Sequence, residues 1–307
     1  MTLLTMRLLH FARNDKKGKD RNDEAGLMRI STECRDCLSN MADQACVLAT
    51  DDLTLRKEAR QKAEQILNRE LKPGLVSIQV ATPMHEVIKL TANNSDPYRS
   101  TKDIEITEAR QLFELVKDSY REDFVAYLRL AALGNAIDFF RPIEEVKSEI
   151  KRIKLSFAID DSDLLESKVK EAKFILYLAD NAGEVFFDMP LLNLMRKFAR
   201  TVYVIKERPV QNDITFADIH KAGRESEVGE WMTTGTATPG VLFDMASDEF
   251  KSAFERADFI FAKGMGYYET LEELPARGRI FFCLKAKCGP VARSLQVPPG
   301  SYVAKLH

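Results

Sequence analysis

The chain has 307 residues, 45% of them hydrophobic and 30% charged, with a formal net charge of −2. That length allows one large domain or two unequal ones. Interspersed, nearly balanced charge excludes the basic face of a nucleic-acid binder, and the lack of an eighteen-residue apolar run excludes a membrane-spanning helix.

Five cysteines, an odd number, do not form a disulfide framework and point to a reducing, cytoplasmic compartment. The first ten residues are weakly apolar, are interrupted by Arg7 and lack a small-residue cleavage pattern, so no signal peptide is expected. Residues 1–27 read as a disordered extension, because positions 14–25 hold eight charged residues and no apolar period. From Ile30 the pattern is helical. Helices are predicted over 53–71, stopped by Pro73-Gly74, and over 107–116 and 121–133. The last of these puts Phe124, Tyr127, Leu128 and Ala131 on one face before Gly134.

After Ile159 short apolar runs at 174–179, 202–205, 259–262 and 280–284 alternate with helical patterns such as 186–199 and 247–256. Strands alternating with helices imply a parallel sheet with helices on both sides. The expected fold is α/β, a Rossmann-like three-layer α/β/α sandwich. It carries a helical N-terminal domain over 28–158, and the metal- and phosphate-binding domain covers 159–307. No internal repeat is present.

The most informative stretch is Phe174-Ile-Leu-Tyr-Leu-Ala-Asp-Asn-Ala-Gly-Glu184. Six consecutive apolar residues read as a strand buried on both faces. It stops at Asp180 and Asn181, which sets oxygen donors at the carboxyl end, where open α/β sheets bind ligands. Gly183 permits the tight turn that follows, and Glu184 lies just beyond it. Taken alone, Asp180 or Asn181 is equally well explained as a helix cap. A second strand, Val202-Tyr-Val-Ile-Lys206, is followed by Gln211-Asn-Asp213-Ile-Thr215. If the two strands are neighbours, Asp180, Asn181 and Asp213 converge. Two carboxylates and an amide carbonyl suit a hard or borderline divalent cation such as Mg²⁺ or Mn²⁺, with water and substrate completing the shell. Asp218 either supports this site or caps its own helix, and a solvated helix acid explains it equally well.

A third strand ends in Lys263-Gly264-Met265-Gly266. A Lys there can meet a phosphate as a point charge beside freed backbone N–H groups; an exposed Lys before a turn is the plainer reading. Glu269 would position water or cap the next helix. The small-residue loop Thr234-Gly-Thr-Ala-Thr-Pro-Gly240 can approach an anion closely, but it lacks the Walker spacing of a nucleotide triphosphatase. Cys34-Arg-Asp-Cys37 is a lone C-x-x-C without the second pair a structural zinc needs. Redox activity and simple packing are its other readings. Phe157-Ala-Ile-Asp160-Asp161-Ser162-Asp163 looks like the start of an aspartyl-phosphate phosphatase, yet it runs into a helical pattern. Capping by Ser162 or Asp161 is expected instead.

In order, Cys34-x-x-Cys37, Asp96-Pro-Tyr98 with Lys102, Gly134-Asn135-x-x-Asp138, Asp180-Asn-Ala-Gly-Glu184 with Asp188, Lys206, Asn212-Asp213 with Asp218, Thr238-Pro-Gly240, Lys263-Gly264, Glu269 and Lys287-Cys288 form a set. The set resembles the metal-dependent damage-control phosphatases, long catalogued as domain of unknown function eighty-nine, in the archaeal-type branch with an N-terminal C-x-x-C. The resemblance covers about residues 28–303. It implies an α/β/α sandwich with an attached helical region and a phosphatase acting on damaged or excess sugar phosphates and related metabolites. It also implies metal ligands at Asp180, Asn181 and Asp213, a phosphate contact at Lys263, and cobalt, nickel, manganese or magnesium as activator. One position departs from the family pattern, which has Asn where this chain has Tyr267.

The expected catalytic set is Asp180, Asp213, Lys263 and Glu184; the expected substrate-binding set is Lys263, Gly264, Asn135, Glu269 and Thr238; Cys34 and Cys37 are the motif residues. The expected activity is metal-dependent hydrolysis of phosphate monoesters of small metabolites by a metal-activated water. Its partner is a small phosphorylated metabolite, and a homo-oligomer is left open. Two alternatives are a noncatalytic phosphometabolite-binding module and an S-adenosylmethionine-dependent carboxyl methyltransferase. The second lacks the G-x-G-x-G expected after its first strand.

Overall fold

A computed structural model describes residues 29–135, 144, 146–147 and 155–307. The extension expected over 1–27 and Asp138 lie outside the described residues. Helices come first: α1 (Thr32–Ala49), α2 (Leu53–Glu70), α3 (Ser77–Ala92), α4 (Arg99–Val116) and α5 (Phe124–Gly134). Strands and helices then alternate: β1 (Phe157–Asp160), α6 (Ser162–Glu171), β2 (Phe174–Leu178), α7 (Val185–Arg196), β3 (Arg200–Ile205), α8 (Phe216–Ala222), α9 (Glu225–Val228) and β4 (Trp231–Thr233). They continue with α10 (Asp248–Arg256), β5 (Phe259–Lys263), α11 (Gly264–Leu271), β6 (Ile280–Lys285), α12 (Gly289–Ser294) and β7 (Tyr302–Leu306). No helix among the described residues is long and apolar enough to cross a membrane.

The seven strands form one sheet in the order β1-β7-β6-β5-β2-β3-β4. Every neighbouring pair is parallel except β6 and β7. The central strands are apolar without interruption because both faces are covered. In β2, Ile175 and Tyr177 enter the core on one side while Leu176 and Leu178 enter the core on the other. Helices α4 to α8 contribute to the first core, and α10 to α12 to the second. This is an α/β fold with helices on both faces of the sheet. Within the N-terminal helices the packing divides. Helices α1 to α3 share their own cluster, with Ala42, Ala45, Ala59 and Ala63 at the contact, while α4 and α5 pack on the sheet. Small residues let helix axes approach closely.

Three strands were not expected. β4 is only three residues long and lies at the edge. β1 alternates between half-buried and exposed residues, and β7 carries Lys305 and partly exposed flanks. One-sided burial removes the continuous apolar run that marks a strand. The capping expected at Asp161 or Ser162 is corrected here. The Asp160 carboxylate accepts the Ser162 N–H at 3.1 Å, and the Asp161 carboxylate accepts the Leu306 N–H at 2.8 Å. The latter bond is available because β7 lies beside β1.

From β2 the chain moves to β3 and β4 on one side, then returns to β5 and β6 on the other. The switch in direction opens a crevice between the carboxyl ends of β2 and β5. The helical layer is tied to that rim by Lys102 of α4. Its buried ammonium lies 2.9 Å from Asp96 and 3.1 Å from Asp218. Asp218 in turn accepts the Thr215 N–H at 2.9 Å and the Thr215 hydroxyl at 2.6 Å, capping α8. The capping foreseen for Asp218 is observed, and the carboxylate is fully buried rather than solvated. Lys102→Met takes one cation from the fully buried Asp218, which keeps the Arg99 guanidinium at 3.3 Å, so it should destabilise the fold by about 1.5–3 kcal/mol. Urea denaturation of Lys102→Met should show that loss, and Lys102→Met/Asp218→Asn should recover part of it.

Candidate active site

Beyond β2 and β3 the backbone forms a short antiparallel pairing. The Ile214 N–H donates to Asp180 O at 2.8 Å and the Ala182 N–H to Asn212 O at 2.9 Å. Asn181 and Asp213 are bridge partners. Asp180, Asn181 and Asp213 therefore meet at one rim, although Asp213 lies more than thirty positions after the other two in the chain. β5 closes the group from the other side. Gly264 has φ +82°, and a Cβ there would lie 2.1 Å from Asp180 Oδ2. Only glycine gives both that backbone conformation and that clearance.

Asn135, the C-cap of α5, fixes the acids. Its Nδ2 donates to Asp180 Oδ2 and to Glu184 Oε1, each at 2.8 Å, and its Oδ1 accepts the Lys285 N–H at 3.2 Å. The Asn181 Nδ2 donates to the same two carboxylates at 3.1 and 2.6 Å. Burial, followed by the charges of Glu184 and Asp213, pushes the Asp180 carboxyl well above its ordinary range. Burial also raises Asp213 to about 6, against the pull of Lys206. The Lys206 ammonium is 3.4 Å from Asp213 Oδ2, but that buried oxygen has no well-formed hydrogen bond.

These features fit a divalent cation. Clustered buried carboxylates are costly unless positive charge is supplied, and Asp213 Oδ2 is an oxygen without a donor. Among the described residues no three His, Cys, Asp or Glu side chains form a ready-made metal cluster. The set depends on the Asn181 amide oxygen as a third donor beside Asp180 and Asp213. Hard oxygen donors favour Mg²⁺ or Mn²⁺ over soft ions.

Lys263, expected at a phosphate, is buried beneath this rim. Its Nζ lies 2.5 Å from Glu184 Oε2 and 2.5 Å from Asp188 Oδ1. Asp188 also accepts the hydroxyls of Tyr177 at 2.9 Å and Tyr203 at 2.8 Å. Burial works against an ionised Glu184, but Lys263 wins and holds it below the ordinary carboxylate range. Thr238 is also buried, with its hydroxyl 2.9 Å from that of Thr236. Lys263, Gly264, Glu184 and Thr238 thus stand behind the surface that the cleft presents.

The cleft itself has a volume of about 420 Å³. Asp180, Asn181, Asp213 and Asn135 form its acid end, and α1 and α3 supply Leu38, Met41, Ile78 and Ala81 opposite. Cys34, Cys37 and Cys288 line it together, and burial raises the Cys288 thiol to about 11. Glu269 accepts the Ser77 hydroxyl, which ties α11 to α3. The sequence reading missed the Tyr177 and Tyr203 contacts to Asp188. A tyrosine inside an apolar run was the available signal, since a buried phenol seeks a polar partner.

The fold and site define a Rossmann-like α/β protein with an oxygen-donor centre at its topological switch point. Residues 30–303 match the damage-control phosphatase ARMT1-like domain, and the chain belongs to that family. A damage-control phosphatase of Pyrococcus horikoshii is 37% identical over 282 residues, covering 90% of this chain and 97% of the relative. One from Archaeoglobus fulgidus is 30% identical over 287 residues, covering 91% and 99%. The crystal structure of a DUF89 family protein from Pyrococcus horikoshii superposes with a TM-score of 0.84 at 36% identity, covering 91% of this chain and 99% of that one.

Burial raises the Glu269 carboxyl from 4.5 to about 7. The folded state therefore holds its proton more tightly than the unfolded chain, and stability is lost as pH rises from 4.5 through 7. The shift corresponds to about 3 kcal/mol. Glu269→Gln should remove this loss. Its stability relative to wild type should climb across that interval and then level off. Chemical denaturation at pH 4.5, 6 and 8 checks the trend, and a pH-independent difference would contradict it.

Proposed function

We propose that this protein is a metal-dependent phosphatase that hydrolyses phosphate monoesters of small metabolites, sugar phosphates and damaged phosphometabolites among them. We place it in the archaeal-type branch with an N-terminal C-x-x-C. The observation that carries the reading is the meeting of Asp180, Asn181 and Asp213 at the acid end of the cleft. These three residues would hold one divalent cation, Mn²⁺, Co²⁺, Ni²⁺ or Mg²⁺. When bound, such a cation supplies Lewis acidity and a water acidified from about 15.7 toward about 7.

The chain's own residues prepare that centre. Uncatalysed phosphate monoester hydrolysis is among the slowest reactions enzymes face, so groups already fixed in place contribute most. Asn135 orients Asp180 and Glu184 through one amide. Glu184 holds the Asn181 amide in position. Lys263 neutralises Glu184 and Asp188 from below, so that charge around Asp180 and Asp213 is left for the cation and substrate. The helical wall of α1 and α3 lines the cleft beside the acid end.

A phosphate-release screen over sugar phosphates, with each metal and a chelator control, tests the reading. Wild type should release phosphate and the chelator should stop it. Replacing groups that merely support metal ligands typically costs 10–100-fold, so Asp180→Asn should cost at least about 100-fold in kcat. The same variant should be more stable than wild type without metal, because it removes a partly buried carboxylate repelled by Glu184 and Asp213. Metal should raise the Tm of wild type and not that of Asp180→Asn. Full metal-dependent activity in Asp180→Asn would refute the assignment. Binding without release would leave a noncatalytic phosphometabolite-binding module.

A further inference from the structure

The cleft changes character along its length. Asp180, Asn181 and Asp213 mark the acid end, and away from them Leu38 and Met41 of α1, Ile78 and Ala81 of α3 and Met265 of α11 line the same space. A volume of about 420 Å³ is that of a small-molecule site, so there is room for more than a phosphoryl group. Leu38, Ile78 and Ala81 are largely taken up by packing, whereas Met41 and Met265 stay half-buried. The two methionines come from different layers of the molecule, and each sulfur is held. Met41 Sδ accepts the Gln211 Nε2 at 2.9 Å, and Met265 Sδ accepts the Lys287 N–H at 3.2 Å. Methionine is polarizable and unbranched, and it moulds itself to irregular apolar groups.

The amide and hydroxyl donors of the cleft are turned to the protein. A side-chain amide has two N–H donors. Asn135 gives its two to Asp180 and Glu184, each at 2.8 Å, and Asn181 gives its two to the same carboxylates at 3.1 and 2.6 Å. Gln211 Nε2 is 2.9 Å from Met41 Sδ and 2.9 Å from His85 Nε2. Asn212 Nδ2 faces the two Glu105 oxygens at 3.3 and 3.4 Å. The Ser77 hydroxyl donates to Glu269, and Glu33 is paired with Arg293 at 2.9 Å. A polyol laid along this wall would exchange water for apolar surface and for groups already bonded elsewhere. Burying a hydroxyl without a partner is unfavourable, whereas an alkyl or aryl group gains from the same transfer.

We propose that the preferred substrate is a phosphate monoester whose alcohol part is apolar, an alkyl or aryl group seated along Met41, Ile78 and Met265, rather than a polyhydroxylated sugar. The inference rests on the phosphatase reading and narrows its substrate class. The acid end then serves the phosphoryl group, and the methionine-lined wall selects what the phosphoryl group is attached to.

The test uses the metal-loaded full chain with ethyl, butyl and hexyl phosphate and with glucose 6-phosphate, all esters of primary alcohols, so the chemical step is matched. From ethyl to hexyl, kcat/KM should rise by about 4-fold for each added CH₂. Hexyl phosphate should exceed glucose 6-phosphate by at least about 10-fold. Met41→Gln and Ile78→Ala should each shrink the hexyl-to-ethyl ratio by at least about 4-fold, and Met41→Leu should retain it. Both substrates of a ratio meet the same variant, so a loss of folded protein cancels. A flat series, a better turnover of glucose 6-phosphate, or a wild-type ratio in both Met41→Gln and Ile78→Ala would overturn the inference and leave the phosphatase reading standing. Calorimetry with ethylphosphonate and hexylphosphonate, which cannot be hydrolysed, separates the two ideas. Tighter binding of hexylphosphonate by a chain that releases phosphate from no ester would keep the apolar site and remove the phosphatase reading. Equal binding of both phosphonates with no release would remove both.

Discussion

The structure turns on a group of carboxylates gathered at one rim of the sheet. Glu184, Asp188 and Asp213 are buried there, and Asp180 beside them is partly buried and faces the cleft. Taking charges out of water costs several kcal/mol per ion unless partners are supplied. Two lysines, one from each side of the switch point, do most of that. Lys263 ends β5 and clamps Glu184 to Asp188, and Lys206 follows β3 and approaches Asp213. Tyr177 and Tyr203 complete the Asp188 shell from inside the sheet. What they leave uncompensated is Asp180, which burial and its acidic neighbours drive upward. The fold tolerates an unstable centre where the proposed cation would sit, in keeping with the usual relation between site strain and activity.

The helical layer is built around the same need. Several of its attachments to the rim are polar and at least partly buried: Lys102 to Asp218, Ser77 to Glu269, and Asn135 to Asp180 and Glu184. Polar bonds of this kind set position more than they add stability, because their hydrogen-bonding gain is offset by lost hydration. Helix α3 shows the same logic at His85. Burial, aided by Lys89, lowers this histidine to about 4. It is therefore neutral near pH 7, and its Nε2, 2.9 Å from the Gln211 Nε2, must accept that amide proton. Gln211 sits at φ 45° in the loop that leads to Asp213, so this contact helps to hold a strained turn next to a proposed ligand.

The central sheet was legible because its strands obey one rule. Burial on both faces makes a strand continuously apolar, and 174–179, 202–205, 259–262 and 280–284 all show it. β1, β4 and β7 broke the rule because they are short or half-exposed, so they left no such run. Helix α3 carries Pro83 in its interior, which blurs a helical reading from residues alone. The meeting of Asp180, Asn181 and Asp213 was readable as a condition: strand ends converge if the strands are neighbours, and β2 and β3 are. The surroundings of Lys263 were not. A lysine after a strand looks the same whether it faces a ligand or a buried acid. Glu184 and Asp188, four positions apart and therefore on one helical face, held the missing information, but only packing shows that they face Lys263.

Tyr267, where the resemblance has Asn in the family pattern, bears on the centre through Lys206. The side chain is buried. Its hydroxyl lies 3.0 Å from the Lys206 ammonium, which also sits 4.2 Å from the centre of its ring. A phenol can meet a cation both ways, through its oxygen and through its face. Together with the Gly240 carbonyl at 2.6 Å, it draws Lys206 to one side. Asp213 Oδ2 is left 3.4 Å from that ammonium, near enough to share its charge but without a hydrogen bond. A shorter side chain at 267 would free the ammonium to close on Asp213 and satisfy it. By holding Lys206 back, Tyr267 keeps one carboxylate oxygen at the rim in want of a positive partner.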